Sequence, residues 1–261
     1  MNKIINIIFI LCPPKSGSTL YEILLGSHQE IFSIGERRVG SEICNCGSKI
    51  EKCIFWSEIN SMSNSKNIIN DISENSNPKH FYELFNYILE YTGKKIILDS
   101  SKDLNFLKDI LKRKDLFKVE IIDLVRNPMD LVQIQKKKWL INKKKKGMNF
   151  YKSIFYIYVF WIKKIFIIKD ITVVSKYSDI INDKKKFLNQ VLGKMNLSLF
   201  SNIIVNKKNI HSLGGSGIRE GYEKLKYDNN LDHLNFLEFL LSYILLIPIN
   251  IFQKIYLFLK R

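Results

Sequence analysis

Residues 4–36 read IINIIFILCPPKSGSTLYEILLGSHQEIFSIGE, and the interpretation of the whole chain starts from this stretch. It opens with an apolar run over residues 4–11, broken by one asparagine, which is typical of a strand buried on both faces of a parallel sheet. Two prolines end the run. Apolar residues then recur at helical spacing over residues 20–25, so the stretch predicts a strand, a short loop and a helix.

The loop between this strand and this helix consists of polar and small residues, namely Lys15, Ser16, Gly17, Ser18 and Thr19. A glycine lets the backbone approach an anion closely, and the amides and positive dipole end of a helix point towards it. Lys15 adds a full positive charge, and the hydroxyls add donors. The loop therefore predicts an anion-binding site. Its lysine precedes the glycine, whereas the loop of nucleoside triphosphatases requires a Gly-Lys pair.

The composition predicts one globular domain with a strong positive charge. A chain of 261 residues is long enough for a single core, so we expect one domain over residues 1–261. The net charge of +16 favours acidic partners, although lysine enrichment through codon bias explains it equally well. The lysine runs at 136–138 and 143–146 are either solvated faces or a basic rim for an anionic acceptor or for membrane headgroups. No arginine-rich or aromatic recognition motif is present, so we expect no nucleic-acid partner.

Four cysteines, Cys12, Cys44, Cys46 and Cys53, are too few for a disulfide scaffold, and we expect a reducing, cytoplasmic environment. Three of them fall in CNCGSKIEKC, residues 44–53, and three thiols could hold a zinc ion. A structural zinc site usually has four ligands, and Cys12 lies at the anion loop. The expectation is therefore a reduced, partly buried loop without metal.

Further apolar runs predict strands over residues 96–99, 119–125 and 171–175. Helical spacing predicts helices over residues 78–91, 104–112, 150–168 and 184–195. The connections over residues 28–36 and 62–77 are expected to be loops, the second one exposed.

Two basic residues follow predicted strands. Lys102 comes three residues after the strand at 96–99, and Arg126 comes directly after the strand at 119–125. Ligands in open parallel sheets bind beyond the carboxyl ends of the strands, so Lys102 is expected near the anion loop. The planar guanidinium of Arg126 suits a phosphate group, because it can donate two parallel hydrogen bonds to it.

The run PPKSGST resembles the 5′-phosphosulfate loop of the sulfotransferases that use 3′-phosphoadenylyl sulfate (PAPS). Other segments resemble bacterial and Golgi-type enzymes of this kind: GE ending at Glu36, CNCG…CIFW, DSSK ending at Lys102, RNP beginning at Arg126 and HSLGGSGIR ending at Arg219. The resemblance spans roughly residues 4–220. It implies a three-layer, P-loop-like α/β fold with a central parallel sheet flanked by helices.

The resemblance also implies an activity, the transfer of a sulfuryl group from PAPS to a hydroxyl of a glycan, lipid or protein, with no metal expected. Glu36 is the implied general base, since a positioned carboxylate can take the proton that the acceptor hydroxyl loses. The implied catalytic cations are Lys15 and Lys102. The implied donor-binding residues are Lys15, Ser16, Gly17, Ser18, Thr19, Arg126 and Arg219. The chain departs from the family pattern at Asn127, where an aspartate is usual, and at Ile134, where a serine normally shares the phosphate.

Several alternatives stay open at this point. Glu36 could instead be a surface acid paired with Arg37 or Arg38. The chain could be a P-loop kinase-like nucleotide-binding protein, or an inactive basic adaptor on a membrane or nucleic acid. The apolar residues 231–261 are expected to form a buried helix pair, with a hairpin on an anionic membrane surface as the alternative. No apolar run reaches the length of a clear membrane span.

Overall fold

A computed structural model describes residues 3–37, 43–62, 77–141, 149–199, 211–214 and 234–260. The strands are β1 (Ile5–Leu11), β2 (Ile31–Gly35), β3 (Ile96–Asp99), β4 (Phe117–Val125) and β5 (Ile171–Lys176). The α-helices of the described ranges are α1 (Ser18–Gly26), α2 (Ile54–Met62), α3 (Pro78–Thr92), α4 (Leu104–Lys112), α5 (Pro128–Ile141), α6 (Phe150–Ile165), α7 (Tyr177–Asn182), α8 (Lys184–Lys194), α9 (Phe236–Leu245) and α10 (Ile247–Leu259).

The five strands form one parallel sheet in the order β2-β3-β1-β4-β5. The chain leaves β1 towards β2 on one side and leaves β4 towards β5 on the other. The connections therefore diverge between the neighbouring strands β1 and β4, which makes the carboxyl ends of these two strands the topological switch point of the sheet. Ligand sites of open α/β sheets lie at such a point.

Helices cover both faces of the sheet, which explains why β1 is apolar throughout. Its side chains alternate, so Ile7 and Phe9 enter one core while Ile8 and Ile10 enter the other. The first core also receives α2 to α6 and α10, and the second receives α1, α7 and α8. The three-layer α/β fold expected from the sequence is thereby confirmed.

Two expectations about the elements need correction. Residues 28–36 were expected to be a loop, but residues 31–35 form the edge strand β2, which pairs with β3 from Ile31 opposite Ile96. The apolar C-terminal pair is only partly buried, because α9 buries Ser242 alone and α10 buries Ile249, Gln253 and Tyr256. Most of the predicted loop at 62–77 and the whole lysine run at 143–146 lie outside the described residues.

No single helix of the described ranges is long and apolar enough to cross a membrane. The helices α9 and α10 meet that requirement only as a pair, and they are bent by 49° relative to each other.

Candidate functional site

All five strands deliver a polar side chain to the same edge of the sheet. Lys15 follows β1, Glu36 follows β2, Lys102 follows β3, Arg126 follows β4 and Tyr177 follows β5. Because the strands are parallel, their carboxyl ends share one edge. Glu36 and Lys102 both act electrostatically on Lys15, which places them in the same site as the loop.

The loop after β1 has the backbone geometry of an anion cradle. Gly17 has a φ of 98° and precedes the first residue of α1, and no side chain caps the helix there. The first N–H groups of a helix lack partners within the helix, so they are available to an anion. Ser16, Ser18 and Thr19 are buried around the loop.

Tyr177 and Arg126 close this cradle on the side of β4 and β5. A Cβ atom added to Gly17 would lie 2.3 Å from a ring carbon of Tyr177, so only glycine fits beneath the ring. The guanidinium carbon of Arg126 lies 4.2 Å from the centre of the same ring, which is a cation–π contact. Arg126 also donates a hydrogen bond of 3.1 Å from Nη1 to the carbonyl oxygen of Lys15. The arginine is therefore fixed directly beside the loop.

Glu36 and Lys102 form an ion pair on the other side of the loop. The Nζ atom of Lys102 donates to Oε1 of Glu36 at 2.6 Å, and the two side chains are only 13% and 16% exposed. The alternative pairing of Glu36 with Arg37 is not found. Arg37 points inward, where it forms ion pairs with Asp99 and Asp103. Arg38 lies outside the described residues.

Both candidate catalytic lysines have an unusual backbone. The φ angles of Lys15 and Lys102 are 73° and 61°, and Asn196 is the one other non-glycine residue with a positive φ in the described ranges. An L-residue pays about 1–2 kcal/mol for such a conformation. Strain of this kind persists only where the surroundings impose it, and it is concentrated at functional sites.

The electrostatics of the two lysines differ. Burial, reinforced by the neighbouring Lys138, lowers the pKa of Lys15 to about 8. Burial also acts to lower the pKa of Lys102, but Cys12 and Glu36 outweigh it and the net shift is upward. Burial raises the pKa of Cys12 to about 12, so Cys12 is a neutral thiol at pH 7 and the attraction on Lys102 comes from the carboxylate. An anion bound at the loop would raise the pKa of Lys15 again, because it favours the charged form.

The sequence has no matching family model and no matching curated protein. Solved structures do match. The sulfotransferase domain from the curacin biosynthetic pathway is 17% identical, with a TM-score of 0.55, over 82% of this chain and 82% of that chain. The sulfotransferase domain from the Synechococcus PCC 7002 olefin synthase is 14% identical, with a TM-score of 0.53, over 92% of this chain and 94% of that chain.

The chain has the sulfotransferase fold. The fold expected from the sequence resemblance is thereby confirmed. A fold alone does not determine an activity, so the function has to be argued from the site.

An open cavity of about 540 Å³ lies next to Arg126. Arg126 and Tyr177 lie at one side of it, and Lys176, Asn250 and Lys254 add polar groups. Aliphatic side chains of α10 complete the wall. The side chain of Gln253 donates to the carbonyl oxygen of Arg126 at 3.2 Å, which ties α10 to the end of β4. The cavity is large enough for a nucleoside, since ligand sites usually measure about 300–1,000 Å³.

The structure brings together all but one of the site residues named from the sequence. Lys15, Ser16, Gly17, Ser18, Thr19, Glu36, Lys102 and Arg126 share one edge of the sheet, whereas Arg219 lies outside the described residues. Their roles stay predictions. Gln133 and Gln135, on either side of Ile134 in α5, are both buried.

Sequence reasoning missed Tyr177 and Lys138. Tyr177 follows β5 as directly as Arg126 follows β4, so the rule that located the arginine applies to it as well. Lys138 lies about three turns into α5, the helix that follows Arg126. It is close enough to Lys15 to lower the pKa of that lysine. Its position within a lysine run gave no signal that it differs from its neighbours.

Proposed function

We propose that the protein is a sulfotransferase that moves a sulfuryl group from PAPS to a hydroxyl group of an acceptor. The observation that carries this proposal is the ion pair between Glu36 and Lys102, which lies beside an anion cradle at the switch point of the sheet. A carboxylate next to two lysines at one cradle suits a reaction in which a hydroxyl loses a proton while negative charge develops on a leaving phosphate.

In the proposed reaction the acceptor oxygen attacks sulfur in line with the leaving group. The bond between sulfur and the phosphate oxygen breaks, and adenosine 3′,5′-bisphosphate (PAP) leaves. Glu36 accepts the hydroxyl proton. Lys15, Lys102 and the loop amides stabilise the charge on the sulfuryl oxygens and on the leaving phosphate, and they do so without reorganisation because the loop and both lysines are held by the fold.

Arg126 is the proposed ligand of the donor's 3′-phosphate. Its guanidinium is held between the Lys15 carbonyl and the Tyr177 ring, and Arg126 lines the cavity. A planar guanidinium matches a phosphate geometrically, and ATP lacks the 3′-phosphate. The adenosine is then proposed to occupy the cavity of about 540 Å³. The acceptor would enter from the opposite side of the loop, where Glu36 lies.

The donor site is tested by thermal unfolding of the full chain with PAP, with ATP and magnesium, or with adenosine monophosphate. A ligand that binds the native state raises the melting temperature, and a concentration of 100 times Kd adds about 2.7 kcal/mol to the stability. We expect selective stabilisation by PAP. Arg126→Ala should abolish it, whereas Arg113→Ala should keep it, because Arg113 is a partly exposed arginine between α4 and the amino end of β4, away from the site. Stronger stabilisation by ATP with magnesium would replace this proposal with a kinase-like function.

We further propose that the helix pair α9–α10 lies on an anionic membrane surface on the cytoplasmic side. The net charge of +16 favours such a partner, and several large apolar side chains of the pair that do not line the cavity are more than half exposed, namely Phe236, Ile255, Phe258 and Leu259.

Sedimentation with phosphatidylcholine vesicles, with and without phosphatidylserine, tests this surface. Binding should require phosphatidylserine and should fall in the double variant Phe258→Ser/Leu259→Ser. It should persist in Ile54→Ser, which changes an equally exposed side chain on α2. If the double variant alters only the oligomeric state, the pair is a surface for self-association instead.

A further inference from the structure

Three cysteines and one histidine converge behind Glu36. The ligand atoms of Cys44, Cys46, Cys53 and His211 all lie within 4.8 Å of one another. The Sγ atoms of Cys46 and Cys53 are 3.7 Å apart, and Nδ1 of His211 lies 3.4 Å from Sγ of Cys53 and 3.8 Å from Sγ of Cys44. All four cysteines of the chain are free, so the short distances do not come from a disulfide.

The three shortest of these separations, 3.4, 3.7 and 3.8 Å, match edges of a tetrahedron around zinc. A Zn–S bond of about 2.3 Å places two sulfur ligands about 3.8 Å apart, and a Zn–N bond of about 2.0–2.1 Å places sulfur and nitrogen about 3.6 Å apart. We propose that Cys44, Cys46, Cys53 and His211 bind one Zn²⁺ ion in a closed, four-coordinate structural site. Thiolate and imidazole ligands in tetrahedral geometry select zinc over hard cations, and three cysteines with one histidine are a known ligand set of structural zinc sites.

The local backbone is built to present these ligands. Gly47, with a φ of 96°, closes a tight turn in which its N–H donates to the carbonyl of Cys44 at 2.9 Å. The turn places Cys44 and Cys46 side by side, and the 3₁₀ turn over Ile50–Lys52 leads directly to Cys53. A Cβ on Gly47 would meet nothing within 4 Å, so backbone conformation rather than space requires the glycine.

His211 is oriented by two aromatic residues. The ring of Phe55 stacks on the imidazole with the centroids 4.8 Å apart and an angle of 15° between the planes. The indole N–H of Trp56 donates to the carbonyl oxygen of His211 at 2.9 Å. Nδ1 therefore faces the three sulfur atoms. In this arrangement His211 binds as neutral imidazole, and the three thiols release their protons to solvent when zinc binds.

The cluster joins two segments that are distant in the sequence. Next to His211, the N–H of Leu213 donates to the carbonyl of Ile34, and the N–H of Glu36 donates to the carbonyl of Leu213. The contact is so close that a Cβ on Gly35 would lie 2.2 Å from the carbonyl oxygen of Leu213. Zinc would thus hold the segment 211–214 against the end of β2. The consequence that zinc also positions Glu36 for catalysis rests on the proposed function.

Metal analysis of the purified full chain tests the site without an activity measurement. Inductively coupled plasma mass spectrometry should find about one zinc per chain. Cys53→Ser and His211→Ala should lose the zinc. Cys12→Ser should retain it, because Cys12 is a buried cysteine outside the cluster and serves as the matched control. Equal zinc in wild type, Cys53→Ser and His211→Ala would overturn the proposal.

Cobalt replacement covers the case in which these variants fail to fold. Wild-type protein refolded with Co²⁺ should show the intense visible absorption of tetrahedral cobalt and the near-ultraviolet charge-transfer band of thiolate ligands. His211→Cys should keep the metal with an altered spectrum, since four cysteines also form a structural site. A wild-type chain with neither zinc nor these cobalt bands would overturn the proposal. Both readouts are independent of PAP, so a failure of the proposed function would leave them unchanged.

Discussion

Arg37 provides a quantitative test of what holds Glu36 in place. Its Nε atom lies 3.1 Å from Oδ2 of Asp99, and its Nη2 atom lies 3.1 Å from Oδ2 of Asp103. The three side chains are at most 2% exposed, so solvent does not screen these interactions. The guanidinium also lies 3.9 Å from the centre of the Phe106 ring. The residue directly after Glu36 is therefore anchored in the core.

The variant Arg37→Met keeps an unbranched, apolar stem and removes the charge, which leaves two buried carboxylates without their cation. Removing one partner of a buried ion pair costs about 3–5 kcal/mol, a large share of a typical stability of 5–15 kcal/mol. Urea unfolding, followed by circular dichroism, measures this loss. Arg113→Met is the control, because Arg113 pairs with Asp115 at the surface and its removal should change the stability little.

A second substitution separates charge from packing. Asp103→Asn removes one of the two buried negative charges that Arg37 neutralises. Asparagine still accepts the hydrogen bonds that Asp103 receives from the first turn of α4. The double variant Arg37→Met/Asp103→Asn should therefore be more stable than Arg37→Met alone. If Arg37→Met were as harmless as Arg113→Met, the buried ion pairs would not be what fixes the segment at Glu36, and the reasoning would be refuted.

Three further predictions concern the loop and the proposed chemistry. Gly17→Ala should abolish stabilisation by PAP, because its Cβ would displace the Tyr177 ring, whereas Gly193→Ala, in open space on α8, should preserve it. The affinity for PAP, measured by calorimetry, should fall about tenfold between pH 7 and pH 9, because Lys15 has a pKa of about 8 in the free protein and must be protonated in the complex. The variant Lys15→Met should bind PAP more weakly, and its affinity should not change with pH over this range. Glu36→Gln should keep PAP binding and lower the transfer of labelled sulfate to a screened alcohol or phenol about 10²–10⁴-fold, and unchanged transfer would exclude Glu36 as the base.

The parts of the site that the sequence revealed depend on local patterns. The strand, loop and helix around Lys15 are consecutive in the chain, so hydrophobic periodicity and one glycine suffice to predict them. The same holds for α4, whose observed bounds equal the predicted ones. Lys102 was placed because it follows a predicted strand, and the edge of a parallel sheet is shared by all strands.

The edge strand β2 shows where local patterns fail. Its five residues, IFSIG, are short, include a serine and end in Gly35 with a φ of 81°, so they match a loop as well as a strand. Its pairing partner β3 lies about 65 residues further along the chain, since Ile31 pairs with Ile96. Non-local hydrogen bonds therefore create this strand. The position of Glu36 depends on it, which is why the sequence left the partner of this glutamate open.

The proposed metal site also depends on contacts between segments that are distant in the sequence. Three thiols within ten residues do not make a closed zinc site, and the fourth ligand atom belongs to a histidine 158 residues after Cys53. What brings His211 there is the pairing of Leu213 with Gly35, which requires the strand that the sequence did not reveal. The proposed general base and the proposed metal site thus depend on one feature, the end of β2. A variant that prevents the pairing, such as Gly35→Val, should lose zinc together with the Glu36–Lys102 contact, while Lys15 and Arg126, held by β1 and β4, should still bind PAP. Loss of zinc with an intact response to PAP would separate the two halves of the site, and loss of both would mean that β2 also supports the donor loop.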